Sequence, residues 1–241
     1  MKRCLISAVV VGVAALLTGC LLSPKVPPMS VRPKVVLTFD DGFAEHYTTV
    51  APILEKYGFR GTFNVIVGRV GTPGYMTWRQ LRDLAKRGHA IENHTYSHTN
   101  LVELVKSGQQ KDFEHELMFS CDKIAAEVGR RPTFLCYPFG ASNWVTDQLV
   151  RDCWLRPMNC DRPNFGEGTV PRTETGAGAY ISACIEKHRE PIDILTHGVR
   201  KGGPAWRPFP SAQVFEEHIK EIRELQDLGK IAVVLYRDAV R

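Results

Sequence analysis

Seven short apolar runs, separated by longer amphipathic stretches, constrain this chain more than any other feature. The runs at 34–39, 62–67, 89–93, 133–137, 155–159, 193–196 and 231–236 are mostly apolar and lack polar alternation. That is the pattern of strands covered on both faces, as in a parallel sheet. The stretches between them read as helices. Residues 45–57 end at Gly58, 77–87 run from Thr77 to Gly88, and 109–128 close at Gly129. Residues 143–152 follow a Gly-Ala-Ser turn, and 211–228 end at Gly229. Threonine at a helix start and glycine just past a helix end satisfy the orphan backbone groups there. Strands alternating with helices over one domain length predict an α/β fold, a distorted (β/α) barrel of about seven parallel strands.

In such a barrel the C-terminal ends of all strands open on one face, where the fold places its chemistry. Asp40 and Asp41 end the first run, and His94 and His98 follow the third. Pro138-Phe139-Gly140 follows the fourth and His197 the sixth. Residues far apart in the chain are therefore expected to converge at one mouth.

Taken alone, Asp40-Asp41-Gly42 reads as well as a turn, because Asp-Gly is common at turns. Two adjacent carboxylates ending a buried strand are nevertheless costly to desolvate without a cation. His94 and His98 present their imidazoles on one side if the segment is helical. Thr95 stands where a zinc helix of the HExxH type has its glutamate base, so a base must come from elsewhere, Asp40 or Asp41 being the source. One carboxylate and two imidazoles form a three-ligand set with open positions, which suits a borderline divalent metal and zinc above all. The remaining carboxylate can serve as a base, and together these are the parts for metal-assisted hydrolysis. His197 ends an apolar strand, and its ordinary pKa suits a general acid near neutrality; a structural histidine is the alternative. Trp206, Trp78, Tyr75 and Phe139 fall on or near loops of the same face. Aromatic side chains there can stack on sugar rings, with core packing as the default for each.

The N-terminus reads as a targeting segment. Met1-Lys2-Arg3 precedes an apolar run from Cys4 to Leu17 that is short for a membrane span. Its close, Leu17-Thr18-Gly19-Cys20, resembles a bacterial lipoprotein signal, so 1–19 are expected to be removed and Cys20 to be lipidated. Several acyl chains on one cysteine anchor a protein stably. Leu21 follows, which in a Gram-negative cell favours the outer membrane. Residues 20–33 hold four prolines and read as a tether, and 34–241 form one domain. The formal charge of +5 falls to +3 once Lys2 and Arg3 leave, too mild an excess to suggest a nucleic-acid partner. The remaining cysteines, Cys121, Cys136, Cys153, Cys160 and Cys184, show no CxxC spacing. Cys153 and Cys160 either bridge a short loop in an oxidising compartment or are buried thiols like the rest.

The motifs resemble those of the polysaccharide deacetylases, the metal-dependent carbohydrate esterase family named for the nodulation-factor deacetylase. Thr38-Phe39-Asp40-Asp41-Gly42 is similar to the first family motif and His94-Thr95-Tyr96-Ser97-His98 to the second. Phe134 to Gly140 is similar to the third, and Leu195-Thr196-His197 to the last. The resemblance implies a metal-dependent hydrolase that removes N-acetyl groups from N-acetylglucosamine-type sugars of an envelope or extracellular polysaccharide. It implies Asp40 as general base, Asp41, His94 and His98 as metal ligands, and His197 as general acid. It also implies the Phe139 N–H at the oxyanion, Leu195 lining the acetyl-methyl pocket, and zinc as the metal, with cobalt, manganese or nickel as alternatives. Two departures stand out. Cys136 occupies the place of an arginine that orients the base, for which Arg172 is a candidate replacement. The fourth, Asp-Trp motif has only weak counterparts in Asp152-Cys153-Trp154 and Asp193. Residues 161–178 are expected to form a mouth loop that shapes the substrate groove. The expected partners are a glycan and, through the lipid, a membrane, with the protein monomeric. An acetyl-ester esterase of the acetylxylan type, a non-catalytic glycan-binding lipoprotein, and a hydrolase of other amides on a related barrel are the alternatives.

Overall fold

The computed structural model describes residues 27–158, 177–188, 191–199 and 209–240. The expectations for Cys20, Cys160, Arg172 and Trp206, for the signal, and for all but the end of the loop at 161–178 fall outside those residues. All seven expected strands form: β1 (Lys34–Phe39), β2 (Thr62–Val65), β3 (Ala90–Asn93), β4 (Phe134–Leu135), β5 (Arg156–Pro157), β6 (Ile192–Thr196) and β7 (Ala232–Val234). They pair in parallel in the order β5-β4-β3-β2-β1-β6, with β7 also on β1. β6 follows one edge of β1 from Val35 to Phe39. β7 pairs with Lys34–Val36 and β2 with Thr38–Phe39, so these two strands divide the other edge of β1 between them. Among the described residues no ladder joins β5 to β6 or β7, and the sheet is a curled half-barrel.

Side chains of β1 alternate between two environments. Val35, Leu37 and Phe39 pack with Phe63, Leu54, Leu81 and Ile219 in the core between sheet and helices. Val36 packs instead with Phe134, Cys136, Met158 and Tyr236. Period-two alternation then sends Thr38 and Asp40 to the same inner side as Val36. Burial of β1 on both faces explains the apolar run that announced it.

The helices start where capping chemistry predicts. Trp78–Lys86 has a full capping box between Thr77 and Gln80. Asn143 caps Trp144–Asp152, and Ser211 caps Ala212–Asp227. Each such cap contributes about 1 kcal/mol. Two expected helices contain π segments. The first runs as His46–Val50 and then Ala51–Lys56; the long one runs as Gln110–Glu114, His115–Phe119 and Ser120–Val128. Leu101–Lys106, Ala177–Glu186 and Tyr236–Ala239 are further helices that the sequence pattern did not show. Ala177–Glu186 is rich in alanine and apolar residues, so it lacks the polar face by which amphipathic helices announce themselves. Among the described residues no helix is long and apolar enough to cross a membrane. Cys121, Cys136, Cys153 and Cys184 are present as thiols rather than disulfides.

Candidate active site

The strand ends after β1, β3, β4 and β6 meet at one mouth. Asp40 still belongs to the β1 ladder: its backbone N–H donates to the Thr196 carbonyl at 3.1 Å. Asp41 then turns left-handed (φ 75°), followed by Gly42 (φ 80°), which breaks the alternation. A side chain at position 42 would meet Val65 Cγ1 at 3.2 Å in a backbone conformation that L residues resist, so glycine is needed there.

The His94–His98 segment is a loop, not the helix under which spacing alone would align the two rings. Left-handed Thr95 (φ 66°) and His98 (φ 68°) make the turn instead. A polar scaffold holds it. Asn93 Oδ1 accepts the Thr95 N–H at 2.7 Å, and Thr95 Oγ1 accepts the His98 N–H at 3.0 Å. The buried Glu116 accepts the N–H groups of Tyr96 and Ser97, both at 2.8 Å, and the Ser97 hydroxyl at 2.6 Å. Glu116 lies in the π segment His115–Phe119, a helix irregularity frequent near functional sites. Of the six described non-glycine residues with positive φ, four are Asp41, Thr95, His98 and Phe139. Strain on the order of 1–3 kcal/mol per residue is thus concentrated at the mouth, where its surroundings must over-determine it.

Asp41 Oδ1 lies 3.6 Å from His94 Nε2 and 3.4 Å from His98 Nε2. Ligands at roughly 2.0–2.1 Å from a tetrahedral zinc sit about 3.3 Å apart, so this donor set fits such an ion with little adjustment. His94 Nδ1 is 2.8 Å from the Cys136 carbonyl oxygen. A carbonyl only accepts, so Nδ1 carries the hydrogen and Nε2 is directed at Asp41, the outer-shell arrangement that orients a metal-binding histidine. Burial pushes the Asp41 carboxyl up, but the interaction with His94 and the charges of His94, His197 and His98 outweigh it and hold the carboxyl far below its usual range. Burial likewise lowers His94, yet Cys136, Asp40 and Asp41 together raise it well above the ordinary histidine value. Burial and the neighbouring His94 charge bring His98 down to about 4. The cluster therefore draws one positive charge to a point between the acids, and a metal ion can take the place of that proton.

Asp40 stands beside this set: Asp40, His94 and Cys136 bring their own ligand atoms within 4.8 Å of one another. Asn64 Nδ2 donates to Asp40 Oδ1 at 2.6 Å, and the Cys136 thiol donates to Oδ2 at 3.2 Å. Cys136 thus touches Asp40 from the position where an arginine was expected. Asn64 was not anticipated, although a polar residue inside an apolar strand is a legible signal. Phe139 is left-handed and two-thirds exposed, with its ring 4.7 Å from that of His98. Leu195 pairs in register with Thr38 and is buried; Ile192 and Ile194 join the helix-side core, so alternation turns Leu195 to the inner side, beneath the mouth. His197 follows after Thr196, near enough to Asp41 and His98 to interact with both electrostatically. The wholly buried His46 donates from Nε2 to the His197 carbonyl at 3.0 Å. Burial lowers His46 to about 4, against the opposing pull of that bond, so the ring is neutral at pH 7. Asp193 accepts from the Thr38 hydroxyl at 2.6 Å, Trp154 is exposed, and Trp78 packs against the helix-side core.

A parallel (β/α) half-barrel with a carboxylate–imidazole cluster at its mouth defines the structural class. Residues 30–158 match the polysaccharide deacetylase family model, more than half of the chain, and the chain belongs to that family. The Bacillus subtilis protein YxkH is 32% identical over 156 residues, 64% of this chain and 50% of the relative. The peptidoglycan-N-acetylglucosamine deacetylase of Bacillus cereus is 26% identical over 166 residues, 66% of this chain and 57% of the relative. The chain spans about half the length of these curated relatives. In fold it is similar to the peptidoglycan deacetylase PdaC from Bacillus subtilis (TM-score 0.61, 23% identity, covering 87% of this chain and 90% of that one).

Proposed function

We propose that this protein is a metal-dependent deacetylase that hydrolyses the acetamide of N-acetylglucosamine-type sugars in an envelope or extracellular polysaccharide. The observation that carries the reading is the convergence of Asp41 Oδ1 with both imidazole Nε2 atoms beside a second buried carboxylate. Family membership supports it, as does the name of the Bacillus cereus relative. Asp41, His94 and His98 would hold a divalent metal, zinc by preference, which when bound would supply Lewis acidity towards the amide oxygen and lower the pKa of a water. Asp40 takes the proton of the attacking water on its carboxylate. The Phe139 N–H donates to the carbonyl oxygen as negative charge develops there. Leu195 receives the acetyl methyl group. His197 gives a proton to the departing amine nitrogen, so base and acid lie on different residues.

Residues 1–33 extend this reading: we take Cys20 as a lipid attachment site that holds the domain on the extracytoplasmic side of a membrane. The basic start, the short apolar run and Leu17-Thr18-Gly19-Cys20 support it. The test of the function is an assay of metal-loaded protein on chitin oligomers, peptidoglycan and acetylxylan. Acetate with an equal amount of new amine is expected from the first two. Acetate from acetylxylan alone would make it an ester hydrolase, and glycan binding with no acetate would make it a binding protein.

A further inference from the structure

We propose that Asn64 is the positioning residue of Asp40, acting together with the Cys136 thiol; the proposal rests on Asp40 being the general base. The two donors approach opposite oxygens of one carboxylate, Asn64 Nδ2 on Oδ1 and Cys136 Sγ on Oδ2. Asn64 sits on β2 between Phe63 and Val65, which both pack into the helix-side core. Alternation therefore directs the amide inward, to the same side as Asp40. All three side chains are buried, so the contacts are not exchanged with bulk water.

The other end of the amide shows what the residue is for. Asn64 Oδ1 is buried and, among the described residues, has no hydrogen-bond partner. Flipping the amide would bring that oxygen against the Asp40 oxygen at the 2.6 Å now spanned by the donor, two acceptors in contact. The orientation is thus dictated by Asp40. A buried amide that uses only part of its bonding capacity is a poor contributor to stability. Its hold on Asp40 accounts for its presence in an otherwise apolar strand. Cys136 serves both parts of the site, its thiol on Asp40 and its carbonyl on His94 Nδ1. The two described donors, one on each oxygen, favour one orientation of the carboxylate relative to His94 and Asp41, and misplacing a reacting group by about 1 Å costs on the order of a hundredfold in rate.

The experiment compares Asn64→Ala, Cys136→Ala, Cys136→Ser and Asp40→Asn in the full protein, with metal content, steady-state acetate release and crystal structures. Asn64→Ala is expected to lower kcat about ten- to a hundredfold with KM and bound metal unchanged. In its structure the Asp40 carboxylate should occupy more than one rotamer. Cys136→Ala should show a smaller loss that Cys136→Ser recovers, since a hydroxyl restores the donor. A single unchanged Asp40 rotamer in Asn64→Ala, or a kcat within about twofold of the parent, overturns the proposal. If Asp40→Asn itself keeps full activity, the functional reading fails, and the rotamer result still decides whether Asn64 positions Asp40. Should Asn64→Ala not fold, the similarly sized Asn64→Leu removes the donor and provides the same readouts.

Discussion

On the side of the mouth formed after β1 to β4, side chains hold loop backbone, Glu116 gripping Tyr96 and Ser97 and Asn93 gripping Thr95, while the Cys136 backbone carbonyl sets the His94 ring. On the β6 side, sheet register does the placing. β6 runs beside β1 from Val35 to Phe39, and bonds from His46 to the His197 carbonyl and from the Val199 N–H to Glu45 continue the order past the strand end. The first side falls within the stretch that matches the family model, and the second lies beyond it. On the proposed function, the contrast follows from the task of each side. Three ligands must meet one ion within a few tenths of an ångström, which strained loops achieve only when clamped. A proton donor needs one approach direction, which a strand end supplies.

The largest expected effect breaks the clamped side outright. His94→Ala should reduce both bound metal and acetate release to background, and a chelator followed by zinc should abolish and then restore activity in the parent protein. His197→Ala probes the other side: kcat should fall about a hundredfold while metal content stays intact. Metal loss in His197→Ala would show that the two sides are not separate. Glu116→Gln comes next, weakening metal affinity about tenfold in a chelator competition, because the ligand loop loses its anchor while the ligands remain.

The smallest effect is one of pH on stability. Buried His46 has its pKa lowered from the ordinary 6.5 to about 4. Between these values the unfolded chain binds the proton and the folded one does not, so stability rises with pH across that window. His46 therefore contributes fully above about pH 6.5, and its contribution is lost as pH falls towards 4. Urea unfolding at pH 7.5 and 5 should show that loss in the parent, and a His46→Gln protein should show less of it.

The same contrast explains what could be read from the residues. The strands were visible because a sheet covered on both faces demands apolar runs, and the acids and histidines because they stand at the ends of those runs. The route by which His94 and His98 meet was not visible. Left-handed Thr95 and His98 depend on Glu116 and Asn93, and only tertiary packing brings Glu116 to that loop. Asn64 could have been found as the polar residue within Thr62–Val65. His46 offered less, since its partner is a backbone carbonyl 151 residues away. Helix Ala177–Glu186 gave no period to find.

The division of labour between the two adjacent aspartates is the central claim, and zinc stoichiometry tests it most directly. Asp40→Asn and Asp41→Asn should be purified in parallel, loaded with zinc, and analysed for metal bound per chain. Asp40→Asn is expected to hold one zinc ion per chain and to release no acetate, with Asp41→Asn largely metal-free. Equal zinc in both, or zinc lost from Asp40→Asn and kept by Asp41→Asn, would contradict the assignment.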